Sequence, residues 1–467
     1  MKKKIVWLLA IILGTAMLTS LVSQTQIGQD ILGEETGQTA GRSVSLSEDG
    51  TRMAVGVPVN RYSLPIGGSV RVFELISGLW VQLGSDIAAP PTNRAFGYQV
   101  VLSPDGKRVG VLGGGVRVFE LQGGDWVQLG NAIDGNNISL SFDGNRALIG
   151  SDPGWRKVGK VNIYDFVAGS WVQVGHDLWG EKGNDRFGAS ISLSSDGKRF
   201  AVGGPQYIPG AYILGQKGGG YVKIFEWNGD WFQRGSTIRG QADRDYFGAS
   251  VSLSSDGNVL AVGAFGNDDN GEDAGQVRVY EWSSTDWNQK GMEINGDSAN
   301  RVFNGITLGN YLGYVNTISL SANGNVLALG ASRGKASRGE VQVFGWDGST
   351  WIKSGNSVIG KDGERLGTSV SISPDGKRIA AGGPGASKGV ARVYEWIDSL
   401  PNNAFPSGSL PVGEIAFSAW TEDDHIVFKW APSFQFDFTG FEIEQSQDKF
   451  QWNTLVYEEK RGDAFSQ

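Results

Sequence analysis

One phrase recurs seven times along this chain: a short run alternating serine with apolar residues, a Ser-x-Asp-Gly-like turn, then a second apolar run. It reads SVSLSEDG at 43–50, YQVVLSPDG at 98–106, ISLSFDG at 138–144, ISLSSDG at 191–197, VSLSSDG at 251–257, ISLSANG at 318–324 and SVSISPDG at 369–376. The anchoring residues Leu46, Leu102, Leu140, Leu193, Leu253, Leu320 and Ile372 lie about 54 residues apart on average. A period of that length belongs to a propeller or solenoid, where each unit buries its apolar faces against its neighbours.

The unit at 247–291 shows what each repeat builds. FGASVSLS alternates with the period of two that marks a strand. Ser254-Ser255-Asp256-Gly257 is a hairpin turn, because glycine takes positive φ at little cost and aspartate bonds nearby backbone. NVLAVGA, GQVRVYEW and WNQKG supply three more strands, and four antiparallel strands make one propeller blade. The third strand returns as VRVFE at 70–74 and 116–120, VNIYD at 161–165, VKIFE at 222–226, VRVYE at 277–281, VQVFG at 341–345 and ARVYE at 391–395. The fourth returns only six times with a leading tryptophan: Trp80, Trp126, Trp171, Trp231, Trp287 and Trp351.

The missing fourth strand stands at the other end. QTQIG at 24–28 matches WVQVG at 171–175, and the match continues without a gap from 24–47 against 171–194. The expected fold is therefore all-β. A seven-bladed propeller over 24–397 is closed by pairing of 24–28 with 390–396, which removes the open sheet edges of an unclosed array. The tryptophans read as packing between blades, each with one N–H to satisfy. Arg71, Arg117, Arg278 and Arg392 read as polar strand positions with packed stems.

The chain has no cysteine, which excludes disulfides, thiolate metal sites and cysteine nucleophiles. Its formal charge of −8 offers no surface for a polyanion, so nucleic acid is not an expected partner. Residues 1–23 carry Lys2, Lys3 and Lys4, an apolar stretch and the small residues Ser20 and Ser23, the pattern of a cleaved secretory leader. The stretch falls short of the roughly 20 apolar residues a spanning helix needs, so no stable membrane insertion is expected once it is removed. The two histidines, His176 and His425, belong to no visible triad or metal pair, and no catalytic residue is assigned.

Phe96-Gly97, Phe187-Gly188 and Phe247-Gly248, with ValGlyValPro (55–58), ValGlyGlyPro (202–205) and ValGlyAlaPhe (262–265), resemble the FG-GAP repeats of integrin α-subunit propellers. The pattern departs at Ala40-Gly41, Leu366-Gly367 and Gly135-Asn136. SerProAspGlyLysArg at 103–108 and 373–378 also resembles WD40-like propellers, without their Trp-Asp dipeptide. The integrin resemblance implies a non-catalytic, exported adhesion module, secreted or at the cell surface. It also implies calcium loops of the D-x-D-x-D-G kind, but here the turns are shortened to a single aspartate, and calcium takes six to eight oxygens. The remaining metal candidate is the acid-rich stretch 266–275, with Asp268, Asp269, Asn270, Glu272 and Asp273. No other cofactor is expected.

Connections between strands one and two are uniformly short, while those between two and three, and between successive blades, vary widely. In an antiparallel blade these two variable classes emerge on one face, where insertions in repeat proteins gather and bind. The face carries Arg61, Tyr62, Trp155, Arg156, Trp179, Tyr207, Tyr212 and Tyr311, aromatics and arginines typical of contact surfaces. The expected partner is an extracellular protein or glycan bound by a monomer. A polysaccharide-active enzyme using carboxylates on that face, or a passive spacer, is the alternative. Arg94, Arg186, Arg244 and Arg365 stand near Asp185, Asp245 and Glu364, an arrangement read as ion pairs at the channel mouth.

Residues 398–413 form a Pro/Ser/Asn/Gly-rich linker. Beyond it, 414–467 alternate as about four strands. Leu410-Pro411-Val412, Lys429-Trp430 and Phe441–Ser446 resemble fibronectin type III-like modules of exported Bacteroidetes proteins, implying a partial β-sandwich and a Gram-negative source.

Overall fold

The computed structural model describes residues 24–59, 67–89, 93, 95–151, 158–206, 218–271, 273–296, 317–332, 338–385 and 387–396. It also describes the backbone of short strands at 302–303, 306–307, 415–422, 425–432, 440–446 and 452–459. All regular structure there is strand or turn, and no helix among these residues is long and apolar enough to cross a membrane.

Seven sheets of four principal strands each form a ring, as the repeat predicts. Their innermost strands, in blade order one to seven, are Ser43–Leu46, Gln99–Leu102, Asn137–Leu140, Ser190–Leu193, Ser250–Leu253, Ile318–Leu320 and Ser369–Ile372. In blade five, Ser250–Leu253 is followed outward by Val259–Ala264, Gln276–Trp282 and Trp287–Gln289. The Ser-x-Asp-Gly turn holds itself: the Ser254 hydroxyl donates to Asp256 (2.6 Å), whose carboxylate accepts the Asn258 N–H (2.9 Å). The same hydroxyl accepts the Val259 N–H (2.9 Å) and so starts the second strand.

The ring closes as expected. Gln24–Leu32 pairs antiparallel with Val390–Trp396, Gln24 opposite Trp396 and Leu32 opposite Val390, with a bulge between Ile27 and Ile31. It thereby supplies the outer strand of blade seven.

Packing lies between the blades. Val44, Leu46 and Met53 of blade one share a buried cluster with Ala380, Ala391 and Val393 of blade seven. Each leading tryptophan donates its indole N–H to a carbonyl in or just past the outer strand of the preceding blade, as Trp231 to Val174 (3.2 Å) and Trp287 to Arg234 (3.0 Å). Blade seven has no such tryptophan; Trp396, at the end of its third strand, donates to Ser354 (3.1 Å) instead. The glycines of the recurring Phe-Gly and Val-Gly pairs are points where two blades touch backbone to backbone. A Cβ on Gly203 would meet the Gly248 carbonyl at 2.0 Å, and one on Gly330 the Gly367 carbonyl at 2.0 Å. Ala40 and Leu366 take the buried place of the motif's phenylalanine where the sequence departs from it.

The chain divides into two compact units, Met1–Phe405 and Pro406–Gln467. In the second, Ile415–Glu422 pairs with His425–Pro432 and Gly440–Ser446 with Trp452–Glu459, as two separate two-stranded sheets.

Candidate functional site

The innermost strands leave one edge each facing the axis, and the repeated serines satisfy it. Leu102 N–H donates to Ser45 Oγ (2.9 Å), Leu193 to Ser139 (3.1 Å), Leu253 to Ser192 (2.9 Å) and Leu320 to Ser252 (2.9 Å). Ile372 donates to Ser319 (3.1 Å), and Leu46 to Ser371 (3.0 Å), which completes the circle across the closure. Blade two carries Val101 at this position, and there Ile138 N–H finds Gln99 Oε1 (3.2 Å). Serines, valines and isoleucines of the seven innermost strands, with Gln99, line a central cavity of about 170 Å³ with no charged side chain in its wall. The serine pattern therefore serves the ring's own backbone, and the cavity offers hydroxyl groups but no ionisable group for chemistry.

At the end of the barrel carrying the variable connections, carboxylates fold the loops onto themselves. Asp185 is fully buried and accepts the Glu181 N–H (2.6 Å), the Phe187 N–H (3.2 Å) and the Tyr221 hydroxyl (2.6 Å). Burial and then Asp185 itself push the Tyr221 phenol far up, so it stays protonated and donates. Asp245 accepts the Ala242 N–H (2.9 Å). Glu364 turns away from Arg365 and pairs with Arg392 (2.8 Å), which also grips Asp30 of the closing strand (2.8 Å). These carboxylates thus anchor loops and strands, and the pairing shown for Glu364 runs to Arg392. Asn184, Arg186, Arg244, Tyr246 and Arg365 hold positive φ, so the chain turns sharply just ahead of blades four, five and seven.

The acid-rich loop of blade five is knitted by its own donors. Asp268 accepts the Asp273 N–H (2.8 Å) and Asp269 accepts the Gln276 side-chain amide (2.8 Å). Asn270 donates to the Gly296 carbonyl (2.8 Å). Among the described residues no three acidic or histidine side chains converge to hold a metal ion. Glu272 lies outside those residues, as do Arg61, Tyr62, Trp155, Arg156, Tyr207, Tyr212 and Tyr311. Trp179 is described and stands 55% exposed beneath the Lys160 ammonium (5.4 Å). His176 Nδ1 lies 3.0 Å from Asp230 in an exposed contact between blades three and four.

Sequence reasoning missed the Arg392–Asp30–Glu364 cluster. Its only signal was an arginine in the third strand, shared with three other blades.

The model of the FG-GAP repeat family matches residues 239–280, from the connection ahead of blade five through its third strand. Among solved structures, the chain is similar to Kuenenia stuttgartiensis hydrazine synthase at 15% identity and a TM-score of 0.52. That likeness covers 80% of this chain and 99% of that one, and it shows the fold alone. No curated protein matches the chain.

Proposed function

We propose that this propeller is an exported, non-catalytic binding module that recognises an extracellular protein or glycan through the face carrying the variable connections. The observation that carries the reading is a division of labour along each blade. One end is closed by uniform, self-bonded Ser-x-Asp-Gly turns. The other sets loops of differing length and sequence on rigid strands, anchored by Asp185, Asp245 and Glu364. A rigid scaffold presenting variable loops is how binding surfaces are usually built. Fold alone does not name the ligand, so the test is direct. The protein is screened against immobilised glycans and matrix proteins. Chimeras that exchange the 205–220 and 264–275 connections for the short one at 112–116 should lose the bound partner while keeping their melting temperature. Retained binding in those chimeras, or turnover of a polysaccharide panel by the unaltered protein, would replace this reading.

A further inference from the structure

The junction between blades two and three differs from the other six, and the difference leaves a groove. Only residues 134–136 connect the outer strand Asp125–Ile133 of blade two to Asn137–Leu140 of blade three. At three other junctions the longer connection lays a carboxylate against the next blade's third strand: Glu34 on Arg71 (3.5 Å), Glu181 on Lys223 (3.2 Å) and Glu364 on Arg392 (2.8 Å). Blade three has Asn162 at that strand position, and with no loop above it Asn162 donates to Asp177 of its own blade (2.6 Å).

Two residues further along the third strand every blade carries a ring. Phe73, Phe119, Phe225, Tyr280, Phe344 and Tyr394 are all buried, and Tyr164 of blade three is not. Tyr164 opens into a pocket of about 260 Å³ at the circumference, lined by Asn131, Ala132, Ile133, Asp134, Ser170 and Trp171. Four polar side chains there are unspent: the Asn131 amide, the Asp134 carboxylate, the Ser170 hydroxyl and the Tyr164 phenol make no hydrogen bond or ion pair among the described residues. Two half-buried carboxylates of the same blade are used, Asp165 by Arg146 (2.6 Å) and Asp177 by Lys160 (2.9 Å). Burial raises the phenol's pKa, and Asp134 and Asp177 add to it against Lys160, so Tyr164 is a neutral donor.

We propose that this groove is a saccharide-binding site taking a single sugar ring of a larger glycan. The Tyr164 and Trp171 rings supply apolar surface for the C–H face of the sugar. Asn131, Asp134 and Ser170 supply the planar and hydroxyl partners that its hydroxyl groups require. A small, partly aromatic pocket with a few convergent polar groups is the usual form of such a site. It lies on the rim, between outer strands, and so is distinct from the loop-bearing face proposed above.

The test titrates the full chain with cellohexaose, xylohexaose, maltohexaose, chitohexaose and laminarihexaose, reading tryptophan fluorescence and heat. At least one should bind. Asn131→Ala and Asp134→Ala, both at exposed positions, should each weaken that binding about tenfold without moving the melting temperature. Tyr164→Phe keeps the ring and should cost less than either. Three results would overturn the proposal. These are no binding by any of the five, binding indifferent to Asn131→Ala and Asp134→Ala, and an Asp134-dependent response to oligolysine alone, which would mark a cationic-peptide site. Binding abolished only by the loop-exchange chimeras would sink this site and support the other face, so the two readings fail separately.

Discussion

Arg392 joins the closing strand to blade seven's own third strand and to the connection ahead of that blade. It is 5% exposed and makes two bidentate pairs, to Asp30 (2.8 and 2.9 Å) and to Glu364 (2.8 and 2.9 Å). Replacing one member of such a buried group leaves uncompensated charge, so Arg392→Met should cost about 3–5 kcal/mol in denaturant unfolding. The pH dependence follows from the carboxylates. Hydrogen bonding to Arg392 holds Asp30 below its ordinary 3.8. Burial pushes Glu364 up, but Arg392 and the Lys361 N–H outweigh it and leave the carboxyl below 4.5. Groups lowered on folding stabilise fully above their unfolded pKa and lose that contribution as pH falls through the folded value. The native protein should therefore lose stability steeply below about pH 4, and Arg392→Met should show a flatter acid limb in the same titration. A second residue-scale expectation concerns close approach. Gly203 has an ordinary φ, so only space is at issue, and its added Cβ would sit 2.0 Å from the Gly248 carbonyl. Gly203→Ala should destabilise by about 1–3 kcal/mol through forced separation of blades four and five. A wild-type melting curve for that variant would contradict the contact.

At the scale of elements, the closing strand is the part most open to test. Trp80 donates its indole N–H to the Ile27 carbonyl (3.0 Å), and Ile31 is buried in the cluster shared by blades one and seven. Deleting residues 24–32 should remove on the order of 3–5 kcal/mol and expose the edge of Val390–Trp396, read as earlier cooperative melting and aggregation. This strand was legible in the sequence because it kept the repeat's own letters, QTQIG against WVQVG. The blades were legible for the same reason, since serine alternation and Asp-Gly turns encode local geometry. What alternation could not say is which blade accepts a given N–H, so the serine circle around the axis appears only in three dimensions. Trp396 was hidden too, because it fills the tryptophan place of blade seven from a different strand. The groove beside Tyr164 left a faint trace, the lost FG at Gly135-Asn136. Its open pocket depends on the absence of residues, which a repeat alignment records only as a gap.

For the molecule as a whole, the 266–275 loop is tied by Asp268 to Asp273 and to its surroundings through Gln276 and the Gly296 carbonyl, so its order is expected not to need an ion. Melting followed with added calcium and then with EDTA should give one midpoint; a calcium-dependent rise would restore the metal reading for Asp268 and Asp269. The closure also governs the order in which the molecule can be made. Within the ring, the nine residues of Gln24–Leu32 are synthesised first and their partner Val390–Trp396 last. Contacts so remote in sequence form late and slowly, and the unpaired segment stays adhesive until they do. A nascent chain interrupted before its seventh blade has nothing with which to seal itself. Emergence of Val390–Trp396 and acquisition of protease resistance by the ring should therefore coincide, making the latch a built-in check that only complete wheels pass.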